Sequence, residues 1–237
     1  MKDFDTEIFI EDLAKYWVRK PTQVIHCGAH LAEEAEDYAR NSFAPIIWIE
    51  AVPNLIPKLK TRLDEFPNDL VLEAALWSHS GIRKIMHISN NSFSSSSKYL
   101  GTHADTYPEI EFIESVPVVT STLDSLDLSI NCGALMVLDL QGIEYEVLCG
   151  AFNTLKDCSF VYVEVSKSEL YRSQISWQKI TDLLKTQGFV LVDWQYSGAL
   201  NWGNALYSKE SSRSPTAARL RRKLRHRLRR RATLRLN

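Results

Sequence analysis

Five consecutive apolar residues, 134–138, end abruptly at Asp139. A run this short and this apolar is typical of a strand buried on both faces, as in the centre of a parallel sheet. It is far shorter than the roughly 18 apolar residues that a membrane span requires. The chain is therefore expected to build a sheet that carries helices on both faces, and no membrane span is predicted.

Strand and helix patterns alternate on both sides of this run. Further strands are predicted over 23–27, 46–49, 70–77, 82–88, 116–123, 160–165 and 189–194, with a last edge strand at 205–207. Helices are predicted directly after Gly28 and over 53–63, 144–155 and 177–186. Such alternation predicts an α/β fold with a doubly wound, mostly parallel sheet and right-handed crossovers. A ligand is expected at the carboxyl ends of its strands.

Charge is divided unevenly along the chain. Residues 1–208 carry 16 basic and 28 acidic side chains, whereas residues 209–237 carry 12 basic and 1 acidic. The polar, serine-rich stretch 208–215 between them has the composition of a linker. We predict one domain over 1–208, with a helix in residues 1–20 packing on it, and a basic tail over 209–237 that is helical or disordered.

The first twelve residues carry acids and lack the basic and apolar segments of a secretory signal. Four cysteines show no paired spacing, which favours reduced, buried thiols over a disulfide framework or a metal site. Together these features predict a cytoplasmic protein.

In the tail, apolar residues recur at every fourth position among arginines. This pattern allows a basic helix with an apolar stripe, although the stripe drifts around the helix. Docking of residues 218–236 on an anionic membrane surface is the favoured hypothesis, which would place the protein at the inner face of the membrane. Nucleic acid is the less favoured partner of the tail. The remaining alternative is a tail that is disordered or that folds back on the acidic domain.

Gly28 follows a predicted strand, and Glu50 ends the next one 22 positions later. This spacing is typical of nucleotide-binding folds, in which an acid accepts hydrogen bonds from ribose hydroxyls. The positions two and four after Gly28 are His30 and Ala32, so the glycine-rich phosphate motif is absent and a dinucleotide is disfavoured. S-adenosylmethionine contains adenosine without a pyrophosphate and fits this pattern. The alternative is a plain turn followed by a solvated acid.

Segments 25–34, 47–53, 94–97, 122–124, 138–151, 163–165 and 169–171, together with His103 and Tyr107, resemble the FkbM-type methyltransferases in order and spacing. The resemblance covers residues 22–208, and its most specific part is the Asp-Leu-Gln-Gly segment that begins at Asp139. It implies a seven-stranded class I methyltransferase fold, S-adenosylmethionine as cofactor, and transfer of a methyl group to oxygen.

The resemblance also implies site residues. It places Gly28, Ala29 and Glu50 against the cofactor, Ala75 and Leu76 near its adenine, and Asp139 beside the reacting methyl group. Cofactor contacts are also expected from His26, His30 and Ala51, and an alternative role of Asp139 is to hold the methionine amine of the cofactor. His26 stands where many class I enzymes have an acid, and Ala32 stands where many family members have a second glycine. For His30, capping of its own helix is an alternative role.

An alcohol acceptor must lose its proton during methyl transfer, and a positioned base contributes about 10²- to 10⁴-fold in rate. A long serine-rich loop is predicted over 90–107, and its length suggests a binding loop. His103 is the first candidate because it lies in this serine-rich loop and histidine titrates near neutral pH; Asp139, Glu144 and Glu164 are the competing candidates. A loop histidine that only bonds neighbouring serines is the alternative for His103. The predicted function is O-methylation of a glycan, glycolipid or similar metabolite. The alternative is a catalytically inactive binding protein of the same fold that the basic tail directs to RNA or another polyanion.

Overall fold

The computed structural model describes residues 20–197 and 202–209. The strands are β1 (Val24–Cys27), β2 (Ile46–Glu50), β3 (Leu70–Glu73), β4 (Ala75–Leu76), β5 (Arg83–Ser89), β6 (Phe112–Ser121), β7 (Ala134–Leu138), β8 (Cys158–Ser166), β9 (Phe189–Ser197) and β10 (Trp202–Lys209). The helices are α1 (Ala35–Arg40), α2 (Ile56–Arg62), α3 (His103–Thr106), α4 (Glu144–Cys149), α5 (Thr154–Asp157) and α6 (Trp177–Thr186). Short 3-10 turns occupy Pro53–Leu55 and Leu123–Leu126.

Seven strands form the main sheet in the order β3-β2-β1-β7-β8-β10-β9. The pairs from β3 to β8 are parallel, and β10 is antiparallel to both of its neighbours. Every residue of β1, β2 and β7 is buried, which is the physical reason for their apolar sequences. The predicted doubly wound, mostly parallel sheet is confirmed.

Alternate residues of the central strands enter two separate cores. On β1, Val24 packs in the core that contains Tyr38 of α1 and Leu59 of α2. Its neighbour Ile25 packs in the opposite core with residues of α4 and α6, including Val147, Leu148, Ile180 and Leu184. Burial of both faces fixes the strand register, because a shift of one residue would exchange the two sets of side chains.

A second sheet, in the order β4-β6-β5, corrects the single strand predicted over 70–77. The chain leaves the main sheet after β3, where the Ala74 N–H donates to the Glu50 carbonyl (2.9 Å). It then pairs with β6 through β4, and Ala75 and Leu76 lie opposite Thr120 and Ser121. The serine-rich segment between β5 and β6 contains α3 and is otherwise a long loop, as expected.

Two other boundaries differ from the sequence-based expectation. The helix predicted over 144–155 is divided into α4 and α5 near Gly150, where a Cβ atom would lie 2.4 Å from the Trp77 carbonyl oxygen. The predicted edge strand at 205–207 belongs to β10, which lies between β8 and β9, and its residues Ala205, Leu206 and Tyr207 are buried. The prediction of an edge strand was wrong, because the sequence of β10 carries no local signal that shows whether it pairs on one side or on both.

The cysteines are free thiols; Cys27 and Cys158 are buried, Cys149 is half-buried, and Cys132 is exposed, contrary to the expected burial. Among residues 20–197 and 202–209, none of the helices has the length and apolar character needed to cross a membrane. The helix expected in residues 1–20 and the basic tail fall outside these ranges, apart from Lys20 and Lys209.

Candidate active site

The carboxyl ends of β1, β2 and β7 meet at one edge of the main sheet and border a cavity of about 190 Å³. A single buried water needs only roughly 10–15 Å³, so the cavity has room for a larger ligand. All nine residues expected to contact the cofactor line it: His26, Gly28, Ala29, His30, Glu50, Ala51, Ala75, Leu76 and Asp139.

Gly28 forms the turn at the end of β1 with a φ of +88°. A Cβ atom there would lie 1.9 Å from the backbone oxygen of Asp139, so only glycine allows the ends of β1 and β7 to approach this closely. The N–H groups of Gly28 and Ala29 both donate to the Ile49 carbonyl at 2.9 and 3.0 Å. The turn is thereby fixed between its two neighbouring strands.

His30 and Ala32 continue the turn with φ values of 44° and 55°, in the left-handed region where glycine is usual. The N–H of Ala32 donates to the Ala29 carbonyl at 2.7 Å, and that of His30 to Glu50 at 2.8 Å. Because these donors are already paired, they do not form a phosphate-binding nest.

Glu50 ends β2 and is 7% exposed. One carboxylate oxygen accepts the N–H groups of Ala51 and Val52, and the other accepts that of His30, all at 2.8 Å. Burial raises the pKa of Glu50 above its ordinary value, and the three N–H donors oppose that rise. The carboxylate therefore binds the glycine turn to the end of β2.

Asp139 follows β7 and its side chain opens into the cavity. Its Oδ1 atom accepts a hydrogen bond from Gln141 Nε2 at 2.6 Å. The loss of hydrating water around the carboxyl group raises the pKa of Asp139, whereas the hydrogen bond from Gln141 lowers it. Two acidic side chains, Glu50 and Asp139, thus line the cavity from either side of the strand that carries Gly28.

His26 lies on β1 below the turn, with its ring stacked on Trp48 at a centroid distance of 4.9 Å. Its Nδ1 atom is 3.1 Å from the hydroxyl oxygen of Tyr38. Burial lowers the pKa of His26 to about 4, so its imidazole is neutral at physiological pH. The chain thus has a neutral buried ring at this position of the cavity.

The serine-rich loop covers one side of the cavity, which is lined by Ser92, Phe93 and Ser95–Ser97 among others. Ser96 exchanges two backbone hydrogen bonds with His87 of β5, at 2.8 and 3.0 Å. Its hydroxyl donates to the Gln141 carbonyl at 2.8 Å. These contacts fix the loop both to the second sheet and to the segment after β7.

The remaining candidates for proton transfer lie outside the cavity lining. His103 is packed between Tyr107 and Tyr171, and burial lowers its pKa. Glu144 is 1% exposed, and its Oε1 atom accepts the N–H groups of Leu140 and Gly142 at 3.0 and 3.1 Å.

Burial raises the pKa of Glu144 to about 7. Glu164 is buried on β8, and burial together with the charges of Asp139 and Glu144 raises its pKa well above the ordinary value. Of the four candidates, Asp139 is the one that lines the cavity.

Several cavity residues were not anticipated from the sequence. Trp77 lines the cavity beneath Lys84, whose Nζ atom lies 3.6 Å from the centre of the indole ring. Both residues reach the cavity through the second sheet, whose separation from the main sheet was not predicted from the sequence. Glu33 also lines the cavity and bonds the His30 ring, and their spacing of three residues was a usable signal. His30 does not cap a helix, since α1 begins at Ala35 without a side-chain cap.

Solved structures share this architecture. Magnesium protoporphyrin IX methyltransferase (ChlM) from Synechocystis PCC 6803, crystallised with bound SAM, matches with a TM-score of 0.50 and 6% identity over 86% of this chain and 76% of that one. The putative methyltransferase yhhF from Escherichia coli matches with a TM-score of 0.50 and 12% identity over 90% and 88%. The fold is that of the class I S-adenosylmethionine-dependent methyltransferases.

The sequence model described as the methyltransferase FkbM domain matches residues 26–191. The chain belongs to the FkbM methyltransferase family, whose methyl donor is S-adenosylmethionine. The 2-O-methyltransferase NoeI of Sinorhizobium fredii (strain NBRC 101917 / NGR234) is 33% identical over 84 residues, which are 35% of this chain. The match likewise spans 35% of the length of NoeI.

Proposed function

We propose that this protein transfers the methyl group of S-adenosylmethionine to a hydroxyl oxygen of a glycan, a glycolipid or a similar metabolite. The observation that carries the proposal is the cavity at the carboxyl ends of β1, β2 and β7, with Glu50 and Asp139 lining it across the Gly28 turn. Family membership supports methyl transfer, and the 2-O-methyltransferase relative supports oxygen as the acceptor atom.

The hydrogen-bond acceptors and the apolar surface of the cavity suit the adenosine of this cofactor. A carboxylate has about four acceptor positions, and three of those on Glu50 are taken by backbone N–H groups. The remaining position is suited to a ribose hydroxyl. Ala75 and Leu76 are buried and apolar, and they supply a surface for adenine.

Carboxyl side chains outnumber basic side chains in the cavity lining, which suits a cationic ligand. Four carboxyl side chains line it against one lysine: Glu33, Glu34, Glu50, Asp139 and Lys84. We propose that Asp139, which lines this cavity, binds the amine of the cofactor. The bound cofactor supplies a methyl group on a positively charged sulfur, and the protein has to align the acceptor oxygen and exclude water, an effect worth about 7 kcal/mol or more.

The acceptor side of the proposal rests on the serine-rich loop. Phe93 is 58% exposed where it lines the cavity, and the neighbouring serines supply hydroxyl groups. An exposed aromatic face beside hydrogen-bonding groups suits a ligand that has both apolar and hydroxyl-bearing surfaces. A sugar ring is such a ligand.

Methyl transfer is tested with tritiated S-adenosylmethionine and a panel of methyl glycosides, oligosaccharides and glycolipids. We expect label in at least one hydroxyl-bearing acceptor, together with calorimetric binding of the cofactor and of S-adenosylhomocysteine. Binding without label in any panel member would favour the inactive binding protein. Absence of binding by the folded protein would contradict the proposed function.

We further propose that the basic tail docks the enzyme on the inner face of the cytoplasmic membrane. Eleven net positive charges over residues 209–237 are opposed by a net negative remainder of the chain. Anionic lipid attracts each basic residue by roughly 1 kcal/mol near the surface.

The full chain should co-sediment with vesicles containing anionic phosphatidylserine at low salt and dissociate as salt screens the charges. A chain ending at Lys209 should remain in the supernatant while retaining cofactor binding, and neutral phosphatidylcholine vesicles serve as the control. Equal sedimentation of the two chains would contradict membrane docking, and tighter binding of the full chain to RNA than to vesicles would favour the nucleic-acid alternative.

A further inference from the structure

Three side chains form a continuous hydrogen-bonded series at the cavity. Glu33 Oε1 lies 2.6 Å from His30 Nδ1, and His30 Nε2 lies 2.7 Å from Ser92 Oγ. His30 and Glu33 belong to the segment between β1 and α1, whereas Ser92 belongs to the serine-rich loop after β5. All three residues line the cavity. The series therefore connects the glycine turn to the loop that covers the cavity.

The protonation state of this series follows from its partners. Burial raises the pKa of Glu33, but the hydrogen bonds from His30 and from backbone N–H groups outweigh this effect. The net pKa of Glu33 is therefore below its ordinary value. An ionised carboxylate only accepts hydrogen bonds, so His30 Nδ1 carries a proton. In the neutral ring Nε2 then has a lone pair that can accept the hydroxyl proton of Ser92.

The Ser92 hydroxyl has a choice of acceptors. Its oxygen also lies 2.7 Å from the Asn91 carbonyl oxygen, and its single proton can serve one acceptor at a time. The hydroxyl can thus point toward His30 Nε2 or away from it by rotation about one bond. Such a group can pass a proton to the ring and accept another from a neighbouring hydroxyl.

The geometry of the series is held firmly. The His30 ring packs against Phe93 with a centroid distance of 4.1 Å, and its side chain is 14% exposed. Both His30 and Ser92 have left-handed backbones, with φ values of 44° and 62°. Non-glycine residues in this region cost about 1–3 kcal/mol and are concentrated at functional sites.

Acidic side chains lie on one side of the His30 ring. Glu33 is bonded to His30, and Glu34, Glu50 and Asp139 also interact with it electrostatically. The loop residues that contact the ring, Ser92 and Phe93, carry no charge. An imidazolium formed here would face acidic groups on the turn side and neutral groups on the loop side.

We propose that Ser92, His30 and Glu33 form a proton relay that accepts the proton of the acceptor hydroxyl; this inference rests on the proposed function. As the acceptor oxygen bonds to the methyl carbon, the carbon–sulfur bond breaks and its electron pair stays on sulfur. The acceptor proton passes to Ser92 Oγ, and the Ser92 proton passes to His30 Nε2. Glu33 stabilises the resulting imidazolium, which then releases its proton to water. Glu33 is a positioning residue in this scheme.

The tautomer of His30 gives a test that needs no turnover. In the full chain with ¹⁵N-labelled histidine rings, we expect His30 to carry its proton on Nδ1, with a strongly hydrogen-bonded proton resonance that His30→Asn removes. Glu33→Gln should shift or abolish that resonance, because it replaces the carboxylate acceptor. Glu36→Gln, on the exposed side of α1, should leave it unchanged. A neutral ring protonated on Nε2, or a resonance indifferent to Glu33→Gln, would overturn the relay.

The second test measures turnover with the acceptor that takes up label in the panel of glycosides, oligosaccharides and glycolipids. Asparagine tolerates a left-handed backbone, so His30→Asn keeps the backbone N–H that donates to Glu50. The affinity for S-adenosylhomocysteine is measured beside turnover, so that a loss of binding is distinguished from a loss of proton transfer. The turnover of His30→Asn should fall about 10²- to 10⁴-fold. The exposed His79→Asn is the matched control and should retain full turnover.

Normal turnover of His30→Asn would overturn the relay and leave the proposed function intact. A loss of turnover confined to His103→Ala would also overturn it and would assign proton transfer to His103. Failure of the unmodified chain to bind the cofactor would instead count against the proposed function.

Discussion

Gly28→Ala is expected to destabilise the fold by about 3 kcal/mol more than an alanine at an unobstructed glycine with the same backbone conformation. The new Cβ atom would lie 1.9 Å from the Asp139 carbonyl oxygen, so the ends of β1 and β7 would have to separate. In a protein of this size that loss corresponds to a melting temperature lower by about 10 °C. Because Glu50 and Asp139 flank the same turn, cofactor affinity should fall as well.

Gly188→Ala is the matched control for this prediction. Gly188 has a φ of +82°, and no atom lies within 4 Å of the position of its Cβ. Backbone strain alone should cost about 1 kcal/mol there, partly offset by the lower entropy of the unfolded chain. Denaturant unfolding of both variants measures the difference. Equal destabilisation of Gly28→Ala and Gly188→Ala would show that β1 and β7 do not approach closely at the turn.

Glu50→Ala is expected to weaken S-adenosylmethionine binding about 10- to 100-fold. Hydrogen bonds to a charged group contribute about 1.5–3 kcal/mol, and the variant loses the proposed bond to ribose. It also leaves the N–H groups of His30, Ala51 and Val52 without their acceptor, so the glycine turn loses its fixed position. Isothermal titration calorimetry well below the melting temperature measures the change.

Two further variants make the result specific. Glu73→Ala removes the exposed acid that pairs in register with Glu50 at the end of the adjacent strand, and it should bind the cofactor normally. Glu50→Gln keeps the size of the side chain and one oxygen acceptor, which guards against a folding defect in Glu50→Ala. Unchanged affinity in both Glu50 variants would show that this carboxylate does not hold the cofactor.

The cavity could be placed from sequence because its key residues end strands. The apolar runs of β1, β2 and β7 predict buried parallel strands, and parallel strands bring their carboxyl ends to one edge. Gly28, Glu50 and Asp139 were therefore expected together, and all three line the same cavity. Short apolar runs, together with the rule that parallel strands end at one edge of the sheet, were sufficient to place this cavity.

The covering loop and its contacts could not be predicted in the same way. His30 and Ser92 are 62 residues apart, and their contact depends on the second sheet positioning the serine-rich loop. Strands were predicted over 82–88 and 116–123, but their separation from the main sheet was not, because β3 and β4 were predicted as one strand over 70–77. His103 was favoured for its place in the loop, but its ring packs toward Tyr171 instead of lining the cavity.

A crystal structure of the full chain with S-adenosylhomocysteine tests the central claim most directly. We expect a ribose hydroxyl within about 2.6–3.2 Å of a Glu50 carboxylate oxygen and the adenine ring against Ala75 and Leu76. A nucleoside bound away from the carboxyl ends of β1 and β2, with Glu50 contacting only backbone N–H groups, would contradict the account.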